Sequence, residues 1–217
     1  MAGIVRKSLV DQVYEQLRED IVSHKIGWGE RLNVNELQER FDLSCTPIRE
    51  AINRLRKEGF VKYKNNIGAS VIDIGEKDII EIQQVAMALD SAAVRYAMES
   101  GENKLIAQEL FMYMERYKRA QNEDIRSNCI EKFIEVFYKH AHNSRLVDIS
   151  NSIKGQQSML RGTYAQEKKD ESSVEDQIKI YNAVLSGNIQ AAIDAIEKNY
   201  ERGTKILLKV IHSGDKK

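Results

Sequence analysis

The sequence predicts a mainly α protein in two parts. Three helices and a two-stranded hairpin come first, and an all-α bundle of about six helices follows. Three observations carry this prediction. One proline and twelve glycines in 217 residues leave few breaks, so helices should run long. Apolar residues recur at helical spacing over most of the chain. Alternation of apolar and basic residues appears early, at Val61-Lys62-Tyr63-Lys64, as in a half-exposed strand.

Leu9, Val13, Leu17, Ile21 and Val22 mark a first helix over residues 8–24. Lys25 to Leu32 is a glycine-bearing turn. Asn33 or Asn35 caps a second short helix ending at Phe41, with Leu37 and Phe41 inward. Asp42-Leu43 is a tight connection into a third helix, which Pro47 opens and Gly59 stops. Ser44 or Thr46 supplies its cap oxygen. On this helix Ile48, Ala51, Ile52 and Leu55 share one face. Thr46, Arg49, Glu50, Asn53 and Lys57 share the other. Val61–Lys64 turns through Asn65-Asn66-Ile67-Gly68 and returns along Ala69–Ile72. Three helices and such a hairpin make a winged helix-turn-helix over residues 1–72. After a linker at 73–77, residues 78–212 carry the helical pattern six times: Ile79–Ser100, Asn103–Gln121, Ile125–His142, Arg145–Tyr164, Val174–Leu185 and Ile189–Ile211. Glu167–Asp176 is a charged stretch, a loop or a helix start.

The chain is 42% hydrophobic and 30% charged, which supports a real core beneath a well-solvated surface. Net charge is zero, but residues 43–72 hold six basic residues against two acidic ones. A local basic patch on a neutral protein suits modest, specific DNA binding better than general phosphate affinity. An outward helix face with hydroxyls, Arg and Asn has the parts to read a major groove. No apolar run reaches the roughly 18 residues of a membrane span, and no signal-peptide pattern opens the chain. Cys45 and Cys129 are too few for a disulfide framework or a zinc knuckle. A cytoplasmic, reduced setting is expected. No phosphate loop, nucleophile elbow or metal-ligand cluster supports catalysis, so no enzyme is expected.

Gly29-Glu30-Arg31-Leu32, Ser44 with Thr46-Pro47-Ile48-Arg49-Glu50-Ala51-Ile52, then Leu55, Glu58-Gly59 and Gly68 follow one another over about 65 residues. In that order and spacing the module resembles the GntR family of bacterial transcription regulators. Phe133, Asn143-Ser144-Arg145-Leu146, Ala183, Ser186-Gly187-Asn188 and Ala191-Ala192 are similar to its FCD subfamily. The resemblance implies a homodimer on a palindromic operator in double-stranded DNA, with the third helix in the major groove and the wing near the minor groove. It implies DNA contact by Thr46 and Arg49, with Gly68 at the wing tip. Two positions depart from the family's pattern. Cys45 stands where arginine is usual, and Asn35 where a polar or basic contact residue is common. Loss of one such arginine forfeits a base pairing worth about 1–3 kcal/mol. The expected DNA-facing set is Asn35, Ser44, Cys45, Thr46, Arg49, Asn53, Lys62, Lys64, Asn66 and Gly68. Phosphate contact and simple solvation are equally open for Lys62 and Lys64.

Many FCD proteins hold a divalent metal with one aspartate and three histidines. Counted from the landmarks, those positions fall on Ile130, Ile134, Gln177 and Asn199, and an arginine of the first bundle helix on Ala86. The resemblance therefore implies the fold without its metal or any other cofactor. Any effector pocket would be lined by Ala86, Ile130, Ile134, Gln177, Tyr181, Asn199 and Tyr200, suiting a neutral or partly apolar small molecule. The alternative is a helical domain that only dimerises. His140 and His142 are expected at the surface or a helix end, and Phe111, Met112 and Met114 in the bundle or a dimer interface. The function expected is a DNA-binding regulator, a repressor by preference.

Overall fold

The computed structural model describes residues 7–64, 68–167 and 172–214. The elements run α1 (Leu9–Val22), α2 (Val34–Phe41), α3 (Cys45–Lys57), β1 (Val61–Lys64), β2 (Gly68–Val71), α4 (Glu76–Glu99), α5 (Asn103–Lys118), α6 (Glu123–His140), α7 (Ser144–Glu167), α8 (Ser172–Leu185) and α9 (Ile189–Gly214). The predicted fold class holds: a winged helix-turn-helix, then six helices.

Two compact units divide the chain. One comprises residues 1–75 together with Asn151–Met159, and the other residues 76–150 and 160–217. Two boundaries differ from the sequence-based expectation. Glu76 and Lys77, expected in a linker, already belong to α4. Asn151–Met159, expected with the bundle, groups with the first unit because Gly155 lets two backbones meet. Its N–H donates to the Glu58 carbonyl at 2.6 Å, and an added Cβ would lie 2.5 Å from that oxygen.

In the first unit, Ser8 caps α1 in a reciprocal box with Asp11. Asn33 caps α2, resolving the two asparagine options, through its side chain and the Asn35 N–H. Ser44 is the N-cap of α3 by backbone, but its side chain makes no cap hydrogen bond. Pro47, at the third helical position, has no N–H to give such a cap, which leaves only that of Thr46. At the other end Gly59 takes φ +81°, with its N–H on Arg56 O and the Phe60 N–H on Leu55 O. That pair of bonds is a Schellman closure, and fully buried Phe60 follows it into the core.

β1 and β2 pair antiparallel with Lys62 opposite Ser70 and Lys64 opposite Gly68. Residues 65–67, including the expected contact residue Asn66, lie outside the described residues. The turn expected at Gly29–Leu32 does more than turn. Leu32 N–H reaches Ala69 O and Val71 N–H reaches Glu30 O, so Arg31 forms an isolated bridge with Ser70 at the edge of the wing. Within β1, Val61 lies in the core while Tyr63 is 50% exposed.

The bundle core gathers Ala93, Val94, Ile106, Leu110, Phe133, Phe137, Val184 and Ile193 among others. The packed helix pairs are α4 with α9 and α6, α5 with α6 and α8, and α8 with α9. Met114 is buried here, while Phe111 and Met112 stay about half exposed.

Replacing Gly59 by alanine should lower stability by at least about 1–2 kcal/mol, from the left-handed φ alone. The new Cβ would also fall 2.6 Å from the Ser152 carbonyl oxygen. Urea denaturation of the variant against the parent measures the loss.

Candidate DNA-binding face and bundle interior

Everything presented by α3 follows from what it buries. Ile48, Ala51, Ile52 and Leu55 are fully enclosed. Thr46, Arg49 and Asn53 are therefore turned to solvent, with Ser44 exposed at the helix start. Cys45 is half-buried and unbridged. Asn35 is exposed near the start of α2. On the wing Lys64 is exposed, Lys62 half-buried, and Gly68 takes φ +90° with open space around its Cα.

The arginines of α3 divide between two tasks. Arg54 lies 3.8 Å over the Tyr14 ring, pairs with Asp11 at 3.0 Å and reaches Glu58 at 3.4 Å. It locks α3 to α1. Burial, with Glu58 accepting the Tyr14 hydroxyl at 2.5 Å, pushes that phenol well above its ordinary value. Tyr14 therefore stays a neutral donor. Arg49 and Arg56 are exposed, on the same helix, with no such anchor among the described residues. Sequence reasoning missed Arg31 and Tyr63 at the wing. The bridge to Ser70 brings Arg31 there, a long-range pairing that no local pattern announces.

The bundle interior holds buried carboxylates in addition to the apolar and amide side chains expected there. Ala86 is fully buried, and one turn further along α4 stands Asp90, 3% exposed. Tyr138 donates to one Asp90 carboxylate oxygen at 2.7 Å and Tyr200 to the other at 2.6 Å. Burial raises the Asp90 carboxyl, against the pull of the two hydroxyls and of Arg161. It likewise raises both phenols, helped by the Asp90 charge. Arg161 also faces Glu131 at 3.6 Å. Buried Asp176 pairs with Arg202, accepts the Asn199 amide at 3.0 Å and lies 3.4 Å from Lys179. Of the expected pocket residues, Asn199 and Tyr200 thus already serve internal carboxylates. Gln177 is buried, and Ile130 and Ile134 are half-buried. Tyr181 turns its ring to Phe111, 6.0 Å away. The interior is charged and cross-bonded rather than neutral. Its aspartates, tyrosines and arginines come from helices far apart in sequence, so spacing could not reveal them.

The residues at the four inferred metal positions do not fit a metal. Two are aliphatic, two are amides, and one amide is engaged by Asp176. Among the described residues no cluster of three His, Cys, Asp or Glu side chains could hold an ion.

His140, the last residue of α6, meets the helix-end expectation, yet it is 3% exposed. Its Nδ1 lies 2.5 Å from Glu102 and its Nε2 3.0 Å from Glu109, so only an imidazolium donates to both. The His140 hydrogen bond holds Glu102 below the ordinary carboxylate range. Burial opposes the same shift at Glu109, but Lys139 and His140 together hold it down. His142 is exposed, as expected.

This is the geometry of a winged helix-turn-helix DNA-binding protein. Residues 9–71 match the gntR family of bacterial regulatory proteins, and residues 81–202 match the FCD domain. The chain belongs to that family of transcriptional regulators. It is similar to the uncharacterized HTH-type regulator YdhC of Bacillus subtilis, 26% identical over 94% of this chain and 92% of that one. It is also similar to the gluconate operon transcriptional repressor of Bacillus licheniformis, 27% identical over 64% of this chain and 58% of the repressor. The solved Escherichia coli McbR/YncC shares the fold, with TM-score 0.70 and 19% identity over 94% of this chain and 99% of that one. No helix among the described residues is long and apolar enough to cross a membrane.

Two outcomes follow from these sites. Metal analysis of the purified protein should find far less than one transition-metal ion per chain, and a chelator should leave the melting temperature unchanged. The lowered Glu102 and Glu109 contribute stability above the ordinary carboxylate range and lose it as pH falls through their lower folded values. His140→Gln should shrink that acid-side loss in urea midpoints taken from roughly pH 6 to pH 3.

Proposed function

We propose that the protein is a sequence-specific transcriptional regulator, a repressor by preference. It acts as a homodimer on a palindromic operator in the cytoplasm and carries out no catalysis. One observation supports this above all: α3 buries an unbroken apolar face and leaves Thr46, Arg49 and Asn53 outward at one-turn spacing. Thr46 sits in the first turn, where a helix docked in a major groove contacts base edges. Arg49 is the base reader, able to pair both acceptors of a guanine. Ser44 and Asn53 complete the helix face. Asn35, Lys62, Lys64, Arg31 and the wing around Gly68 supply backbone contacts that set register without reading sequence. Cys45 is too short to make the contact an arginine would make there.

The helical domain senses a small metabolite. Its ligand is one with hydrogen-bonding groups that compete for Asp90, Tyr138 or Tyr200. Binding shifts the dimer toward an arrangement whose recognition helices no longer match the operator, by the ligand's difference in affinity between two states. One observation favours a second reading, a ligand-free dimerisation scaffold. Both Asp90 oxygens are already satisfied within the bundle, so the interior needs no ligand to be stable.

Selection of bound sites from random DNA supplies the operator. On that site Arg49→Ala should weaken binding by about 1–3 kcal/mol, roughly five- to 150-fold, while oligomeric state and melting stay unchanged. Unaltered affinity would remove Arg49 as the reader.

A further inference from the structure

Glu50 is the only acidic residue of α3, and the function proposed above leaves it without a task. Its place follows from what the helix buries. Ile48, Ala51, Ile52 and Leu55 are enclosed. The row opposite them is Thr46, Glu50, Asn53 and Lys57, at steps of four, three and four residues, and all four are exposed. Arg49 lies to one side of that row and Arg54 to the other. Glu50 therefore stands nearer the middle of the outward face than either arginine. A helix that lays Thr46 and Asn53 in a major groove lays Glu50 there too.

A carboxylate at this place has no structural use. A helix dipole favours an acid in the first turn, and α3 has none there, since Glu50 lies beyond it. The cation one turn further on is Arg54. It is drawn off to Asp11 at 3.0 Å, to Glu58 at 3.4 Å and over the Tyr14 ring. Among the described residues no hydrogen bond or ion pair engages Glu50. Against DNA such a group is repelled by phosphates and by every acceptor on a base edge. In the major groove guanine shows two acceptors, and thymine an acceptor and a methyl group. Adenine sets its amino donor beside the N7 acceptor. Cytosine alone presents an amino group with no acceptor of its own beside it.

We propose that Glu50 is a specificity-determining residue that selects cytosine at one position of each operator half-site, by accepting a hydrogen bond from the N4 amino group. The proposal rests on α3 being the recognition helix and adds a second base reader beside Arg49. The carboxylate also acts by exclusion. Facing thymine or guanine it is desolvated without a donor, so the wrong duplex is penalised as well as the right one favoured.

Binding of the full chain to its selected operator, and to every single-base variant of that operator, tests this. The parent should prefer cytosine over thymine by about tenfold at one position per half-site. Glu50→Ala should flatten that preference to within about twofold and tighten binding to unrelated duplex, because a charge repelled by phosphates is gone. The guanine preference set by Arg49, at another position, should survive. Glu50→Gln should move the preference from cytosine to adenine, whose N6 and N7 an amide pairs together. A charge that only repels phosphates would produce no such switch. Both variants should melt like the parent, since the side chain is exposed. Three results overturn the role of Glu50 alone: a parent operator with no cytosine-requiring position, base preferences unchanged in both variants, or an affinity change equal on every sequence. Loss of guanine preference in Arg49→Ala then still supports the recognition helix. A parent with no sequence preference at all overturns the recognition helix and the role of Glu50 together.

Discussion

The four side chains under α3 are the constraint on which the first unit depends. Ile48, Ala51, Ile52 and Leu55 are wholly enclosed, so the helix cannot roll without exposing them. Burying such side chains is worth about 1.5–3 kcal/mol each for the larger ones, and a rotation of even part of a turn forfeits most of it. The orientation of Thr46, Arg49 and Asn53 is therefore decided from beneath. Arg54 on Tyr14 and the closure at Gly59 fix the remaining freedom, the tilt and the end. A recognition surface needs such rigidity, since a side chain that must order itself on binding gives up affinity to do so.

The same unit shows why net charge is a poor guide to binding nucleic acid. The chain is neutral, and one of its basic residues nearest the recognition face, Arg54, is spent on structure. What remains is a handful of exposed cations on α3 and the wing, with Glu50 exposed beside Arg49. Few phosphate contacts mean a shallow salt dependence, and so a larger share of discrimination falls to base edges and to fit.

Local chemistry was readable from the sequence wherever neighbours along the chain decide the outcome. Pro47, Gly59 and Asn33 marked helix ends correctly, and the six bundle helices followed from periodicity. Ser44 is the cap residue but makes no side-chain cap bond, and the proline removes one of the two N–H groups it could have bonded. Tyr63, Arg31 and His140 are a different case. Their surroundings are set by Ala69, Ser70 and Glu102, residues joined to them only by the fold. The bundle interior was the least legible. Counting from landmarks led to Asn199, with Tyr200 beside it, but their partners Asp176 and Asp90 lie 23 and 110 residues away.

Those partners explain how a bundle can lack metal donors and still hold polar groups inside. A carboxylate buried alone costs several kcal/mol. Asp90 avoids part of that by taking a tyrosine hydroxyl on each oxygen, and Asp176 by taking an arginine and an amide. Both sets join helices: the first ties α4 to α6 and α9, and the second ties the consecutive helices α8 and α9. A metal would tie helices together in the same way, through directional bonds that an apolar core lacks. The difference is in what can disturb the tie. A metal is lost to chelators or to protonation of its ligands, whereas a phenol raised far above neutrality keeps its proton and its hydrogen bond at any physiological pH. Only a molecule carrying its own donors or acceptors can compete for such a network. Under the proposed sensing role, a ligand would be distinguished by its hydrogen-bonding groups rather than by its capacity to coordinate an ion.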